Sequence, residues 1–273
     1  IVQALTNEKI PLPSVTIGSV VIDSREASQD SLFIALPGEK TDGHEFVRDA
    51  FNNGAVLAFV HHDMPDNLGM LDLRQDHIDL ENSALSLPLC LRVENTLDAL
   101  QTFAAYWRSK HVVRTIGITG SVGKTTTKEL TASLLSQKFK VLKNPGNRNN
   151  EIGLPLTLLD LEDNHQYAVL EMGFYVPGDI RTLCDIAQPQ IGVVTNIGTV
   201  HAERAGSQEI IAKGKAELVE SLPPGPEGVA ILNLDDPWVR DMANKTNAEI
   251  FSYGVEHEAD LQAVDILSHG LQG

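Results

Sequence analysis

The stretch Gly117-Ile118-Thr119-Gly120-Ser121-Val122-Gly123-Lys124-Thr125-Thr126 decides the fold of this chain. An apolar, β-branched run containing Val112, Val113 and Ile116 leads into it, and residues 128–136 lead out of it with helical character. Strand, glycine-rich loop, Gly-Lys-Thr and helix is the order in which a chain cradles the phosphates of a nucleoside triphosphate. Small residues let successive backbone N–H groups face one anion, and the helix N-terminus adds partial positive charge. On this reading Thr119, Gly120, Ser121, Val122, Gly123, Lys124, Thr125 and Thr126 surround the phosphates of ATP. Lys124 reaches the outer phosphates and the Thr125 hydroxyl ligates Mg²⁺. The strict spacing of such loops would place the first glycine at position 118, where isoleucine stands, so this loop is a variant. A plain glycine-rich hairpin is the competing reading, and it gives no reason for Gly-Lys-Thr at the head of a helix.

Working outward, the pattern from residue 112 onward alternates strand and helix. Strands are expected at 112–118, 167–171, 190–195, 228–232 and 249–253, and helices at 124–137, 178–186, 207–220 and 236–244. Near-continuous apolar strands separated by helices specify an α/β fold with a parallel sheet covered on both faces. Ligands of such sheets sit at the carboxyl ends of the strands. The first ~90 residues read as a smaller α/β unit. It has strands over 15–22, 31–36, 55–60 and 87–93, a helix over 44–53, loops over 63–82, and then a helix over 95–110 capped by Asn95. The expected organisation is therefore a small domain over 1–94 and a phosphate-loop domain over 95–273.

The 273 residues are 42% hydrophobic and 21% charged, which is the balance of a globular protein. No apolar run reaches the ~20 residues of a membrane span. Two isolated cysteines, Cys90 and Cys184, make neither a disulfide framework nor a zinc site, and fit a reducing cytoplasm. The net charge of −16 argues against nucleic acid as a partner. It is unevenly spread. From Arg108 to Arg148 nine Lys or Arg face a single acid, Glu129, a surplus of eight that leaves −24 on the rest. A basic segment centred on a phosphate loop is a local well for a polyanionic ligand, although Lys138 and Lys140 read as a solvated helix face.

Several polar residues fall where strands end. Glu171 closes the run beginning at Tyr167, and an acid leaving a buried strand beside a phosphate loop can hold Mg²⁺. A capping or surface carboxylate is the other reading. His201 follows the expected strand over 190–195 and Lys215 lies in a helix with Lys213; alone, these read as a loop histidine and a solvated lysine. The segment 144–155, with Asn144, Asn147, Arg148, Asn149 and Asn150 among glycine and proline, suits a loop that hydrogen-bonds a polar ligand.

Taken together, these motifs resemble the Mur ligases, and most closely the type that adds D-alanyl-D-alanine. The resemblance is carried by Asp23-Ser24-Arg25, the run from Leu32 to Gly38, Asp42-Gly43-His44 and the phosphate loop. The run from Asn147 to Thr157, Glu171-Met172-Gly173 and the run from Thr195 to His201 complete it. It covers nearly all of the chain and implies an ATP-dependent, ADP-forming ligase of peptidoglycan precursor synthesis. Its partners would be a UDP-N-acetylmuramoyl-peptide and D-Ala-D-Ala, and it would act in the cytoplasm as a monomer. By resemblance, Lys124, His201 and Lys215 are catalytic, and Thr125, Glu171, His201 and Lys215 hold two Mg²⁺ ions. Lys215 occupies the position of the family's carbamylated lysine, with Lys213 as its competitor. Ser24, Arg25, Gly43 and His44 would face the uridine diphosphate end of the acceptor, and Asn149 and Asn150 its muramic acid and peptide side.

The resemblance also implies a third, C-terminal domain and an adenine-contacting segment, which residues 1–273 do not show. The start at Ile1 and the unfinished pattern from Leu261 to Gly273 are expected of a chain cut short, and a poor ligase is expected of these residues alone. The alternatives are another Mur-type ligase, such as the one adding a diamino acid, and a non-catalytic module that binds nucleotide sugar and ATP.

Overall fold

The computed structural model describes residues 1–8, 15–38, 40–65, 68–74, 86–198 and 207–267. The chain divides into two units, residues 1–110 with 158–160, and residues 111–157 with 161–273.

In the first unit, α1 spans Val2–Thr6, β1 Ser19–Val21, β2 Ser31–Ile34, α2 Val47–Asn52, β3 Ala55–Val60, β4 Gly69–Asp72, β5 Leu89–Arg92 and α3 Thr96–Ser109. The strands form a wholly parallel sheet in the order β1-β2-β3-β5-β4. Phe33, Ala35, Val47, Ala50, Ala58, Val60 and Cys90 fill the core on one face. Asn95 caps α3, its side chain accepting from the N–H groups of Leu97 and Asp98, as the sequence predicts. The division between units falls after Lys110, and not between 94 and 95 as the sequence reading has it. The reason is packing, because α3 lies against α1 and β3 and buries Ala99, Leu100, Phe103 and Ala104.

Two further differences have local causes. The helix expected over 44–53 begins as a 3₁₀ turn, Gly43–Phe46, because Asp42 accepts from the His44 N–H and tightens the entry before α2 starts. β4 lies inside the stretch read as loops. It is an edge strand paired only with β5, and Leu71 is its one fully buried side chain. So short and half-wet a strand leaves no period-two pattern to read.

The second unit contains β6 (Arg114–Thr119), α4 (Lys124–Leu135), β7 (Val141–Lys143), α5 (Gly153–Leu158), β8 (Tyr167–Glu171) and α6 (Asp179–Ala187). It continues with β9 (Ile191–Val194), α7 (Gln208–Glu220), β10 (Val229–Asn233), α8 (Pro237–Asp241), β11 (Glu249–Gly254) and β12 (Leu261–Gln262). Its parallel sheet runs β12-β11-β10-β9-β6-β8-β7. Ile116, Ile118, Ala132, Val169 and Val193 pack across the centre of the sheet. From β6 the chain passes to β7 and β8 on one side, then crosses to β9 on the other. The switch point therefore lies at the carboxyl end of β6, where an open α/β sheet leaves a crevice for ligands. The fold class expected from the sequence is the one found. α5 is unexpected, since residues 144–155 read as a loop. Pro155 stands in its first turn, where a missing N–H costs nothing, and the Asn150 side chain accepts from the Gly153 N–H at its start. Among the described residues, no helix is long and apolar enough to cross a membrane.

Candidate functional site

Three chain segments leave the carboxyl edge of the second sheet beside one another: residues 120–123 after β6, Glu171 at the end of β8, and Thr195–Asn196 after β9. Gly120 (φ +146°) and Gly123 (φ +88°) bend the first of these into α4. Asn196 brackets the bend, its Oδ1 accepting from the Val122 N–H at 3.0 Å while its Nδ2 donates to the Val122 carbonyl at 3.0 Å. Thr195 Oγ1 also donates to that carbonyl, at 2.7 Å. The Ser121 hydroxyl accepts from the Gly198 N–H at 2.9 Å. By helix geometry, the amides of Lys124, Thr125 and Thr126 have no acceptor four residues back and point out of the first turn of α4. This places an anion-binding helix end at the switch point, with Thr125 and Thr126 exposed on it.

Not every residue of the expected loop offers its side chain. Thr119 is fully buried and its hydroxyl donates to the Met172 carbonyl at 3.0 Å, so its side chain joins β6 to the segment after β8. Lys124 is folded over the loop, its Nζ donating to the carbonyls of Gly120 at 2.9 Å and Ser121 at 3.4 Å. Burial lowers its pKa, against the opposing pull of Glu171.

Glu171, only 3% exposed, is the hub of the site. Its Oε2 accepts from the Thr125 hydroxyl at 2.7 Å and its Oε1 from the Asn149 amide at 2.8 Å. Hydroxyl and carboxylate are both hard oxygen donors, and a pair of them beside an anion-binding helix end fits Mg²⁺, which takes few protein ligands and keeps several waters. Asn144, which the sequence marks only as one amide of a polar loop, and Lys128, which it does not mark, complete the setting. Asn144 is fully buried, with Oδ1 accepting from the Glu171 N–H at 2.9 Å and Nδ2 donating to the Glu171 carbonyl at 3.0 Å. Lys128, also fully buried, sets its ammonium 3.9 Å from Glu171 Oε2.

Lys215, on α7, is 4% exposed and donates from Nζ to the Gly120 carbonyl at 3.0 Å, the same oxygen that Lys124 holds. Lys213 faces solvent, so the structure separates the two lysines that the sequence leaves as competitors. Burial, and secondarily the charge of Lys124, pushes the Lys215 ammonium down to about 7. His201 lies outside the described residues. Asn149 donates from Nδ2 to Glu171, and Asn150 accepts at Oδ1 from the Gly153 N–H at the start of α5.

The low Lys215 value has a measurable consequence. The unfolded lysine titrates near 10.5, so between about pH 7 and 10.5 the unfolded chain binds more protons than the folded one. This group therefore makes stability rise with pH across that window, and it costs stability below it. We expect the wild type to gain on the order of 2–4 kcal/mol relative to Lys215→Met between about pH 7 and pH 10 in chemical denaturation. Parallel pH profiles for the two proteins would contradict an ammonium destabilised by burial.

In the first unit, Asp23, Ser24, Arg25, Gly43, Phe46 and Asp49 help line a cleft of about 670 Å³. Asp23 accepts from the Arg25 N–H and pairs with its guanidinium at 2.5 Å, so the Arg25 hydrogen bonds hold the Asp23 carboxyl down to about 2. The Arg25 side chain is 87% exposed. Ser24, Arg25 and Gly43 thus share one cleft, and His44 is not among the residues that line it. His44 is buried, with Nδ1 2.5 Å from Asp42 Oδ1 and Nε2 accepting from the His61 N–H at 3.0 Å. A neutral ring protonated on Nδ1 satisfies both bonds, and burial lowers its pKa in keeping. The rings of His61 and His62 gather around it. Both His44 nitrogens are thus in use, tying residue 44 to Asp42 and to the main chain of His61.

Profiles of known families match both units. The Mur ligase family, catalytic domain, matches residues 16–108, and the Mur ligase middle domain matches residues 118–272. Two UDP-N-acetylmuramoyl-tripeptide--D-alanyl-D-alanine ligases are similar in sequence. The one from Synechocystis sp. is 42% identical over 89% of this chain and 49% of its own length, and the one from Bacillus subtilis 38% identical over 92% and 50%. The chain spans about half the length of the curated relatives it matches. Among solved structures, MurF from Acinetobacter baumannii superposes with a TM-score of 0.81 at 32% identity, over 97% of this chain and 55% of that one. MurF ligase from Thermotoga maritima in complex with ADP gives a TM-score of 0.74 at 32% identity, over 88% and 51%. A family profile matching more than half of the chain, the second unit from β6 onward, joins the motifs and the geometry in one conclusion: the chain belongs to the Mur ligase family.

Proposed function

We propose that these residues carry the nucleotide and acceptor sites of an ATP-dependent, ADP-forming ligase that joins D-Ala-D-Ala to UDP-N-acetylmuramoyl-tripeptide. The observation that carries the reading is the Thr125–Glu171–Asn149 chain of hydrogen bonds at the head of α4, with two lysines converging behind it on Gly120. The names of the most similar relatives and an ADP-bound neighbour support the choice of substrates.

In this mechanism the first-turn amides of α4 and Lys124 hold the triphosphate. A carboxylate oxygen of the acceptor attacks the γ-phosphorus and ADP leaves. The amine then attacks the carbonyl carbon of the acyl phosphate, and the tetrahedral intermediate expels phosphate as the amine proton is lost. Thr125 and Glu171 would hold Mg²⁺, which when bound draws charge from the transferring phosphoryl group. Asn149 and Asn144 orient Glu171 for that task. Lys215, poised near neutrality, can react as a free amine with CO₂ and lose a proton to become a carbamate, an anionic oxygen donor beside Gly120. With His201 it would hold a second Mg²⁺. The uridine diphosphate end of the acceptor lies in the cleft formed with Ser24, Arg25 and Gly43, where the exposed guanidinium meets its charge. The enzyme works in the cytoplasm as a monomer.

The test follows an oxygen atom. With the acceptor carboxylate labelled in ¹⁸O, and ATP, Mg²⁺ and D-Ala-D-Ala supplied, one label per turnover is expected in the released phosphate. Unlabelled phosphate would mean that water attacks ATP and that the protein is a hydrolase.

A further inference from the structure

Lys128 has no part in the mechanism above, yet it is one of the largest fully buried side chains of the protein. A buried lysine is costly unless its ammonium is fully paired, so the choice of partners is informative. Nζ donates to the main-chain carbonyls of Asn144 at 2.8 Å and Gly146 at 3.3 Å, and lies 3.3 Å from Glu129 Oε1. Glu171 Oε2 stands behind these at 3.9 Å. Three of the four partners belong to what holds or forms the site. Asn144 and Gly146 begin the loop that carries Asn149, and Asn144 itself clasps the main chain of Glu171 from both sides. Lys128 also lies one turn along α4 from Lys124 and Thr125, so it fixes the loop to the helix that presents the anion-binding amides.

We infer that Lys128 is a positioning residue, whose ammonium locks the 144–149 loop to α4 and so keeps Glu171 aimed at Thr125 for the divalent cation. The inference rests on the reading of Glu171 as a group that holds Mg²⁺. Two opposite effects of removing Lys128 can be told apart by sign. As a mere neighbouring charge, Lys128 repels Mg²⁺, and its loss would tighten cation binding. As a positioning residue, its loss frees the loop, loosens the Asn149 bond to Glu171 and weakens cation binding. Residues that orient a metal ligand in this way typically change affinity by about 10–100-fold.

The experiment is a calorimetric titration of the chain with a non-hydrolysable ATP analogue across a series of Mg²⁺ concentrations, for the wild type and Lys128→Met. The expected result is a Mg²⁺ midpoint raised about tenfold, with affinity for the Mg²⁺-free analogue unchanged. A purely structural role would lower both affinities together, and that outcome overturns the inference. An unchanged or lowered Mg²⁺ midpoint overturns it as well. If Lys128→Met does not fold, Lys128→Gln, which keeps a donor near the Asn144 carbonyl but no charge, is read by the same criteria. A wild-type chain whose nucleotide binding ignores Mg²⁺ overturns the functional reading, and the inference with it, independently of any variant.

Discussion

Lys124→Met is expected to weaken binding of a Mg²⁺-bound ATP analogue about a hundredfold, ~3 kcal/mol, without destabilising the fold. The loss follows from removing a charge-assisted donor at the head of α4, where the remaining amides still contribute. The stability follows from Lys215. Two ammonium groups share the Gly120 carbonyl, at 2.9 and 3.0 Å, and the Lys124 charge disfavours that of Lys215. Replacing Lys124 removes one of two like charges from a desolvated place, so the melting temperature should hold or rise as affinity falls. The Lys215 pKa should move up from about 7 in the same variant, because one of the two causes of its depression is gone. Calorimetry and thermal melting on one sample check both halves. Undiminished affinity would mean that the lysine folded over the loop does not contact the nucleotide.

Gly120→Ala is expected to cost about 3–4 kcal/mol and lower the melting temperature of this unit by roughly 10 °C, with loss of nucleotide binding. At φ +146° the position disfavours any side chain, and an added Cβ would lie 1.9 Å from Thr195 Oγ1 and 3.1 Å from its Cβ. Thr195 cannot give way freely, because its hydroxyl holds the Val122 carbonyl and its own carbonyl accepts from Asn233. Gly123→Ala is the control. Its φ of +88° carries a similar backbone strain, but an added Cβ would meet nothing within 4 Å. It should cost only about 1 kcal/mol. Equal melting temperatures for the two variants would contradict the close approach of β6 and β9 loops at Gly120.

The phosphate loop and the alternation of strand and helix around it are legible in the sequence because they depend on local pattern. Glycines at positive φ, an apolar strand and Gly-Lys-Thr all lie within a dozen residues. Glu171 is legible as a strand-end acid. What holds it is not, because Asn144 and Lys128 act through main-chain atoms brought together by the pairing of β7 with β8. The helix itself points the wrong way for a reader of periodicity. On α4 the leucines Leu130 and Leu134 are 60% and 73% exposed, while Lys128 is buried. A hydrophobic pattern would put the leucines inside and the lysine in water. His44 misleads in the opposite sense. It belongs to a motif and is polar, yet both its nitrogens are spent on Asp42 and the His61 backbone. Asn149 and Asn150 read as ligand-facing amides in a polar loop, and the bond from Asn149 Nδ2 to Glu171 is one that no local pattern announces. For Lys128, Asn144 and Asn149 the residue type is informative, but the partner that fixes the side chain lies far along the chain.

The central claim, that the chain pairs a nucleotide site with a site for an acidic sugar-nucleotide acceptor, is tested most directly by titrating it with UDP-N-acetylmuramoyl-tripeptide in a calorimeter. The measurement is repeated with Arg25→Ala. Single-site binding that weakens about tenfold in the variant is the predicted result, in line with the loss of one charge-assisted bond to the diphosphate. No heat of binding from the acceptor, in a sample that still binds the ATP analogue with Mg²⁺, would contradict the account.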